Sequence, residues 1–294
     1  MKKKLIALFV LTFCVFSFAQ ESDLKKEIQK IISGKQATVA VSITSFEDNF
    51  EMEINGNKKL PMQSVFKFHI ALAVLDKIDK GEFALNQKLF IHKSQLLQNT
   101  WSPLKDRFPS GNIKFPISET IKYAVSQSDN NACDILLNYI GGTETVQKFI
   151  NNQGMKDFSI KFNEQEMHKV KDNQYQNYTT TNSLNLLLKK FYEGKVVSKE
   201  STDFLMKTMI ETTTGKNRLI AQLPESTIVA HKTGTSFTEN GITAATNDAG
   251  IVTLPNGKHY AISVFVSDSK ESEETNEKII ADISKITFDF LNQK

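Results

Sequence analysis

The sequence of 294 residues has only two cysteines, and one of them, Cys14, lies in an apolar stretch near the start. Cys133 alone remains for the rest of the chain, so no intrachain disulfide can form there and the fold depends on its core. The apolar spacing of Cys133 with Leu136, Leu137 and Ile140 indicates a buried thiol rather than a nucleophile.

The sequence also lacks an excess of charge of one sign. Its net charge is +3, and Lys2, Lys3 and Lys4 supply three positive charges, so the remainder is neutral. This balance gives no basic surface for nucleic acid or a membrane. Hydrophobic residues make up 40% and charged residues 23% of the chain, which excludes a disordered or collagen-like protein.

Metal and nucleotide sites are not indicated either. The histidines show no paired ligand spacing, and the chain has no glycine-rich loop of the kind that binds a phosphate or a dinucleotide. We therefore expect neither a cofactor nor a metal ion. The five histidines are His69, His92, His168, His231 and His259.

The chain opens with a basic and apolar leader. Lys2 to Lys4 precede the apolar run from Leu5 to Phe16, and Ser17-Phe18-Ala19 supplies small residues for cleavage. This pattern predicts a signal peptide over residues 1–19, with a retained anchor as the alternative. No later apolar segment reaches 18 residues. We expect a secreted, periplasmic protein with no membrane span in the mature chain.

Strand patterns occur at both ends of the chain. Residues 37–44 and 50–54 predict one hairpin, and residues 249–254 and 260–266 predict another around Pro255-Asn256-Gly257. Residues 227–232 predict a further strand. Helical periodicity predicts a short helix before the first hairpin and helices over 66–80, 119–125, 131–140, 144–153, 182–193, 199–211 and 271–291.

This order of elements predicts an α+β fold. An antiparallel sheet formed by both chain termini would be flanked by helices, with an inserted all-helical lobe. We assign residues 20–61 and 212–294 to the α/β lobe and residues 62–211 to the helical lobe. A cleft between the lobes is the expected place for a site.

Ser64 and Lys67 stand at the start of the first central helix. Residues three apart share a helix face, so the lysine amine can lie beside the serine hydroxyl. The helix N-terminus favours a developing oxyanion, and this arrangement can activate a serine without histidine. The spacing alone is weak, because it recurs in the pairs Ser22/Lys25, Ser102/Lys105 and Ser267/Lys270.

Two more motifs follow in order. Ser128-Asp129-Asn130 occurs between two predicted helices, and Lys232-Thr233-Gly234 occurs at the end of a predicted strand. Together with Ser64 and Lys67, they resemble the serine β-lactamases and penicillin-binding proteins, and the resemblance covers essentially the whole mature chain. It implies the β-lactamase/DD-peptidase-like form of the α+β fold.

The resemblance also implies roles in catalysis. Ser64 would attack the lactam carbonyl, and the backbone N–H groups of Ser64 and Thr235 would form the oxyanion hole. Lys67 would accept the serine proton, and Ser128 would pass a proton to the departing lactam nitrogen. Asn130 would orient Lys67 and the amide of the substrate side chain.

Other residues would bind the carboxylate that penicillins and cephalosporins carry. The resemblance gives this role to Lys232, Thr233 and Thr235. Arg218 matches an arginine that some class A enzymes use as a second carboxylate clamp, with a surface charge as the alternative. Trp101, the only tryptophan, matches an aromatic residue at the mouth of the cleft, with a core tryptophan as the alternative.

Glu164 narrows the resemblance to class A. It stands where these enzymes place the general base that activates water for hydrolysis of the acyl-enzyme. Glu166 is the alternative. The class A pattern has an apolar residue three positions and an asparagine four positions after the base, and Met167 and His168 stand at these positions after Glu164, so Glu164 fits better. His168 replaces the usual asparagine that helps to hold the water, and we include it among the substrate-binding residues.

The loop around Glu164 departs from the family pattern in one further respect. In the family, an arginine and an aspartate usually form an ion pair that ties the loop. Here Phe162 stands in place of the arginine and Asn177 in place of the aspartate. The loop must therefore be held differently. The departure resembles the extended-spectrum cephalosporinase branch of class A.

Three functions are compatible with these motifs. The first is a class A β-lactamase that confers antibiotic resistance, and the others are a penicillin-binding DD-peptidase and a β-lactam sensor domain. Glu164 favours the first, because the other two lack a deacylating carboxylate. We expect a β-lactam as the small-molecule partner, no nucleic acid, and a monomer.

Overall fold

The computed structural model describes residues 23–293. The predicted signal peptide at 1–19 lies outside the described residues. The strands are β1 (Thr38–Ser45), β2 (Glu51–Ile54), β3 (Leu60–Pro61), β4 (Lys88–Ile91), β5 (Ile113–Pro116), β6 (Phe158–Ser159), β7 (Tyr178–Thr179), β8 (Val229–Thr235), β9 (Thr238–Glu239), β10 (Ile242–Thr253) and β11 (His259–Ser269). The helices are α1 (23–32) and α2 (Phe66–Asp79), α3 (Pro103–Arg107), α4 (Ile117–Ser126), α5 (Asn130–Ile140), α6 (Thr143–Asn152), α7 (Glu164–Lys169), α8 (Thr181–Tyr192), α9 (Lys199–Ile210) and α10 (Glu273–Asn292).

The main sheet is antiparallel and joins both ends of the chain. Its strand order is β2-β1-β11-β10-β8, and β9 pairs with β10. β1 runs along β11 from Thr38 opposite Ser267 to Ser45 opposite Tyr260. Both predicted hairpins are present, and the α+β fold class is confirmed. The position of β8 at one end of this order means that no other strand of residues 23–293 pairs with its outer side.

The two faces of the sheet pack against different helices, because successive strand side chains point to opposite faces. Val39, Val41 and Ile43 of β1 pack with the apolar sides of α1 and α10. Ala40 lies in the other cluster, which contains α2, α4, α5 and α8. Ser272 caps α10 by accepting a hydrogen bond from the backbone N–H of Thr275, which fixes the start of the last helix.

α2 is the central helix of the larger cluster. All ten residues from Phe66 to Leu75 are buried, so this helix is enclosed on every side. It therefore carries Lys67 and His69 into the interior. Burial lowers the pKa of His69 to about 3, so this histidine is neutral at physiological pH.

Several short elements were not predicted. β3, β7 and β6 form a three-stranded sheet, β4 pairs with β5, and α3 and α7 are single helices of five and six residues. Such segments are too short for their periodicity to identify them. None of the helices within residues 23–293 combines the length and apolar character needed to cross a membrane. The division into two lobes stays a prediction.

Candidate active site

Ser64 lies in a 3-10 turn, Gln63–Val65, that leads directly into α2. Gln63 has a positive φ of 46°, a conformation that is uncommon for residues other than glycine. Lys67 follows in the first turn of α2, and its Nζ donates a hydrogen bond to Ser64 Oγ at 2.8 Å. The predicted serine–lysine pair is therefore present in the structure.

The ammonium group of Lys67 is buried, and four acceptor groups surround its three N–H donors. Besides Ser64 Oγ, Nζ donates to the backbone oxygen of Ser128 at 2.9 Å and to Asn130 Oδ1 at 2.5 Å. Glu164 Oε1 lies 2.7 Å from the same nitrogen. Because an ammonium has three donors, these four groups share its protons, and a proton can move between Ser64, Lys67 and Glu164.

Glu164 and Glu166 differ clearly in their positions. Glu164 begins α7, and its Oε1 lies 3.4 Å from Ser64 Oγ. Glu166 is exposed, and its Oε2 accepts a hydrogen bond from the backbone N–H of Asn163 at 3.0 Å. The side chain of Asn163 accepts in return from the N–H of Glu166, which completes a capping box. Glu166 therefore caps the helix, while Glu164 faces the serine.

Two side chains hold this loop where an arginine–aspartate pair is missing. Asn177 Nδ2 donates to the backbone oxygen of Phe162 at 2.7 Å, and its Oδ1 accepts from the N–H groups of Lys161 and Phe162. Asp134 of α5 accepts from the N–H groups of Glu164 and Gln165 at 2.9 and 3.0 Å.

Asp134 carries a partly buried carboxyl beside the N-terminus of α7, where a negative charge is favourable. Burial and, next, the neighbouring Glu164 carboxylate raise the pKa of Asp134 to about 7. The loop thus depends on one amide and on one carboxyl that titrates near neutrality. Sequence reasoning missed Asp134, because its role depends on tertiary contacts rather than on a local pattern.

Ser128 and Lys232 form the second polar pair of the site. Ser128 has a positive φ of 57° and lies between α4 and α5. Its Oγ accepts a hydrogen bond from Lys232 Nζ at 2.9 Å, and the same Nζ donates to the backbone oxygen of Thr233. Burial and, next, the positive charge of Lys67 hold the pKa of Lys232 well below its usual range. Lys232 can therefore exchange a proton with Ser128.

Thr233 and Thr235 lie on β8 at the end of the main sheet. Thr233 Oγ1 shares a hydrogen bond of 2.7 Å with Thr214 Oγ1. Between the two threonines, a Cβ on Gly234 would lie 2.4 Å from the backbone oxygen of Met62. Only glycine allows β8 to approach the turn before Ser64 this closely.

Arg218 is not a surface charge, so that alternative is wrong. It is 4% exposed, and Nε bonds to Glu277 while Nη1 donates to the backbone oxygens of Gly234 and Asn247. Nη2 donates to Thr235 Oγ1 at 2.8 Å. Arg218 therefore reaches Thr235 of β8, but most of its donors already bind the sheet and Glu277. Its role as a second carboxylate clamp stays a prediction.

Two exposed aromatic residues lie next to segments that carry site residues. Trp101 is 61% exposed and donates from Nε1 to the backbone oxygen of Gln127, so the alternative of a core tryptophan is wrong. Phe237, which follows β8, is 89% exposed and was missed by the sequence analysis. His168 is exposed and, with Glu164, lines a cavity of about 200 Å3.

Cys133 is buried and has no disulfide partner among the residues that the structure describes. Burial raises the pKa of its thiol well above the usual value, which agrees with a core thiol rather than a nucleophile. Within residues 23–293, no group of three or more His, Cys, Asp or Glu side chains is arranged to hold a metal ion.

Comparisons with known proteins agree with this arrangement. The sequence profile of the β-lactamase enzyme family matches residues 23–291. The β-lactamase VEB-1 of Pseudomonas aeruginosa is 50% identical over 100% of this chain and 99% of its own length. The extended-spectrum β-lactamase PER-1 of Pseudomonas aeruginosa is 42% identical over 96% of this chain and 92% of its own. The crystal structure of the TLA-3 extended-spectrum β-lactamase has a TM-score of 0.91 and 55% identity, and the match covers 92% of this chain and 99% of that one.

Proposed function

Since the chain belongs to the β-lactamase enzyme family, in its class A, we propose that it opens the β-lactam ring of penicillins and cephalosporins through an acyl-enzyme on Ser64. The resulting hydrolysis inactivates the antibiotic and gives resistance. The observation that supports this proposal most strongly is the carboxylate of Glu164, 3.4 Å from Ser64 Oγ and 2.7 Å from Lys67 Nζ.

Acylation begins when Ser64 Oγ attacks the lactam carbonyl carbon. The serine proton passes to Lys67, which can deliver a proton onward to Glu164 because both contacts are shorter than 3 Å. The carbonyl oxygen becomes an oxyanion that the backbone N–H groups of Ser64 and Thr235 stabilise. One N–H lies at a helix start and the other on β8, so neither needs to reorganise.

The carbon–nitrogen bond of the ring then breaks, and the nitrogen takes a proton from Ser128. Lys232 Nζ, 2.9 Å from Ser128 Oγ, returns a proton to this hydroxyl, in line with its depressed pKa. Lys232, Thr233 and Thr235 also bind the substrate carboxylate, and Arg218 assists by orienting Thr235 Oγ1.

Deacylation uses a water molecule between Glu164 and the ester. Before this step, the proton that Glu164 gained during acylation returns through Lys67, whose Nζ lies against Ser128, to the Ser128–Lys232 pair, which restores the Glu164 carboxylate and the proton that Lys232 gave up. Glu164 then takes a proton from the water as the water oxygen attacks the ester carbonyl. The same proton passes through Lys67 to Ser64 Oγ as the ester bond breaks, which frees Ser64 and the opened product. General base catalysis of this kind is typically worth about 10²–10⁴-fold. A penicillin-binding DD-peptidase or a β-lactam sensor lacks this base and would stay acylated, so Glu164 favours the hydrolase.

The substrate range is a further part of the proposal. Two of the relatives are extended-spectrum enzymes by name, and the loop of this chain is held by Asn177 and Asp134 instead of an ion pair. We infer that oxyimino-cephalosporins are substrates as well as simple cephalosporins. We also propose secretion to the periplasm, because the leader is of the signal-peptide type.

Ser64→Ala tests the nucleophile. The variant should bind a chromogenic cephalosporin but neither hydrolyse it nor gain its mass, because loss of a nucleophile costs many orders of magnitude in rate. Ser267→Ala is a suitable control, since Ser267 has the same spacing to a lysine, Lys270, but its Oγ donates to the backbone oxygen of Ala244 in the main sheet. Retention of covalent labelling by Ser64→Ala would show that another serine reacts.

A further inference from the structure

We propose that Asn247, in the middle of β10, is a positioning residue for Ser64: its side-chain amide holds the turn from which the nucleophile projects. Sequence analysis did not indicate Asn247. The inference rests on the proposed function, because it concerns the rate at which Ser64 is acylated.

The amide joins two parts of the chain that are far apart in sequence. Asn247 is fully buried, and its Nδ2 donates to the backbone oxygen of Pro61 at 2.8 Å and to that of Met62 at 3.2 Å. From the other direction, the N–H of Met62 donates to the backbone oxygen of Asn177 at 3.0 Å. The two residues before Gln63 are therefore held by the sheet on one side and by the Glu164 loop on the other.

The orientation of the amide is set by these contacts. Asn247 Oδ1 is buried and has no hydrogen-bond partner within residues 23–293. Exchanging the two amide atoms would aim this oxygen at two carbonyl oxygens, which repel it. The side chain thus acts only as a donor to the turn and leaves a polar atom unpaired, which is costly for a residue that merely fills the core.

The turn needs such support because it is strained and closely packed. Gln63, directly before Ser64, has a positive φ, a state that persists only where surrounding contacts impose it. Gly234 packs against the oxygen of Met62, and Asn247 is the register partner of Gly234 on the neighbouring strand.

Asn247 therefore connects the turn of Ser64 to the strand of Thr235. These two residues supply the N–H groups of the proposed oxyanion hole. A shift of the turn changes both the aim of Ser64 Oγ and the width of the hole, and a misplacement of about 1 Å can cost about 10²-fold in rate.

Asn247→Asp tests the proposal, because it conserves volume and removes both donors. The measurement is the single-turnover rate of acylation by a chromogenic cephalosporin, followed by quenching and intact mass, and expressed per folded enzyme. We expect acylation to slow by about 10²-fold. Asn247→Ala, which removes the amide without adding a charge, decides the question if Asn247→Asp does not fold.

Asn185→Asp is the matched control. Asn185 is also buried, and its Nδ2 donates to the backbone oxygen of Ala261 in the same sheet while its Oδ1 accepts from Ser263. A purely structural role predicts that both variants lower the melting temperature and leave acylation per folded enzyme unchanged. That result, or an equal slowing in Asn185→Asp, would overturn the proposal. A wild-type enzyme that gains no mass at Ser64 would instead refute the proposed function.

Discussion

Replacing Asp134 by asparagine removes a partly buried charge beside the Glu164 loop but keeps the size of the side chain. Burial and then Glu164 raise the pKa of Asp134 from 3.8 to about 7. The folded chain therefore binds this proton more tightly than the unfolded chain does. The stabilisation that this proton supplies is fully present below about pH 4 and is lost as the pH rises through about 7.

The magnitude follows from the two pKa values. At about 1.36 kcal/mol per pKa unit, their difference corresponds to about 4 kcal/mol of destabilisation of the wild type at about pH 8. Asparagine can accept only one of the two N–H groups that Asp134 binds, which costs about 1 kcal/mol. Asp134→Asn should therefore raise the free energy of unfolding by about 3 kcal/mol at pH 8. At pH 5 it should change the free energy of unfolding by less than about 1 kcal/mol.

Urea unfolding at both pH values measures this difference. Asp172→Asn is the control, because Asp172 is an exposed aspartate of the same loop region, and it should change stability little at either pH. An equal change in the free energy of unfolding at pH 5 and pH 8 in Asp134→Asn would show that Asp134 does not titrate between these pH values. The variant should also slow deacylation more than acylation, since Asp134 holds the backbone of Glu164.

Three other predictions concern substrate range, packing and processing. Oxyimino-cephalosporins and simple cephalosporins should have kcat/KM values within about tenfold, or about 1.4 kcal/mol of barrier; a loss of several orders of magnitude for the bulky substrates would contradict the proposed substrate range. Gly234→Ala should lower the free energy of unfolding by about 1–3 kcal/mol and slow acylation, because its Cβ would meet the oxygen of Met62; unchanged thermal unfolding would contradict the close approach. The secreted protein should begin at Gln20 or within a few residues of it, and mass spectrometry would refute this by finding Lys2 to Lys4.

The parts of the site that are local in sequence were predictable. Ser64 and Lys67 are three residues apart on one helix, so helix geometry alone brings them together. The hairpins and long helices were also predictable, because their periodicity extends over many residues. The choice of Glu164 over Glu166 rested on the family pattern, and the capping role of Glu166 provides a physical reason for it.

The other parts depend on tertiary contacts that no short pattern encodes. Asp134 resembles any other acidic residue of an amphipathic helix until α7 is packed against it. Asn247 lies in a strand whose pattern gives no sign of a contact with residues 61 and 62. The sequence left the surface-charge alternative for Arg218 open, because the acceptors that allow its burial come from Glu277 and two separate strands.

The central claim is that Glu164 makes this chain a hydrolase rather than a protein that stays acylated. Glu164→Gln keeps an acceptor for Lys67 Nζ but removes the base, whereas Glu166→Gln keeps the cap on Asn163. Intact mass after mixing each variant with a simple cephalosporin is the direct measurement. We expect a persistent adduct on Ser64 in Glu164→Gln and free enzyme with full turnover in Glu166→Gln. A persistent adduct in Glu166→Gln alone, or in the wild type, would contradict the central claim.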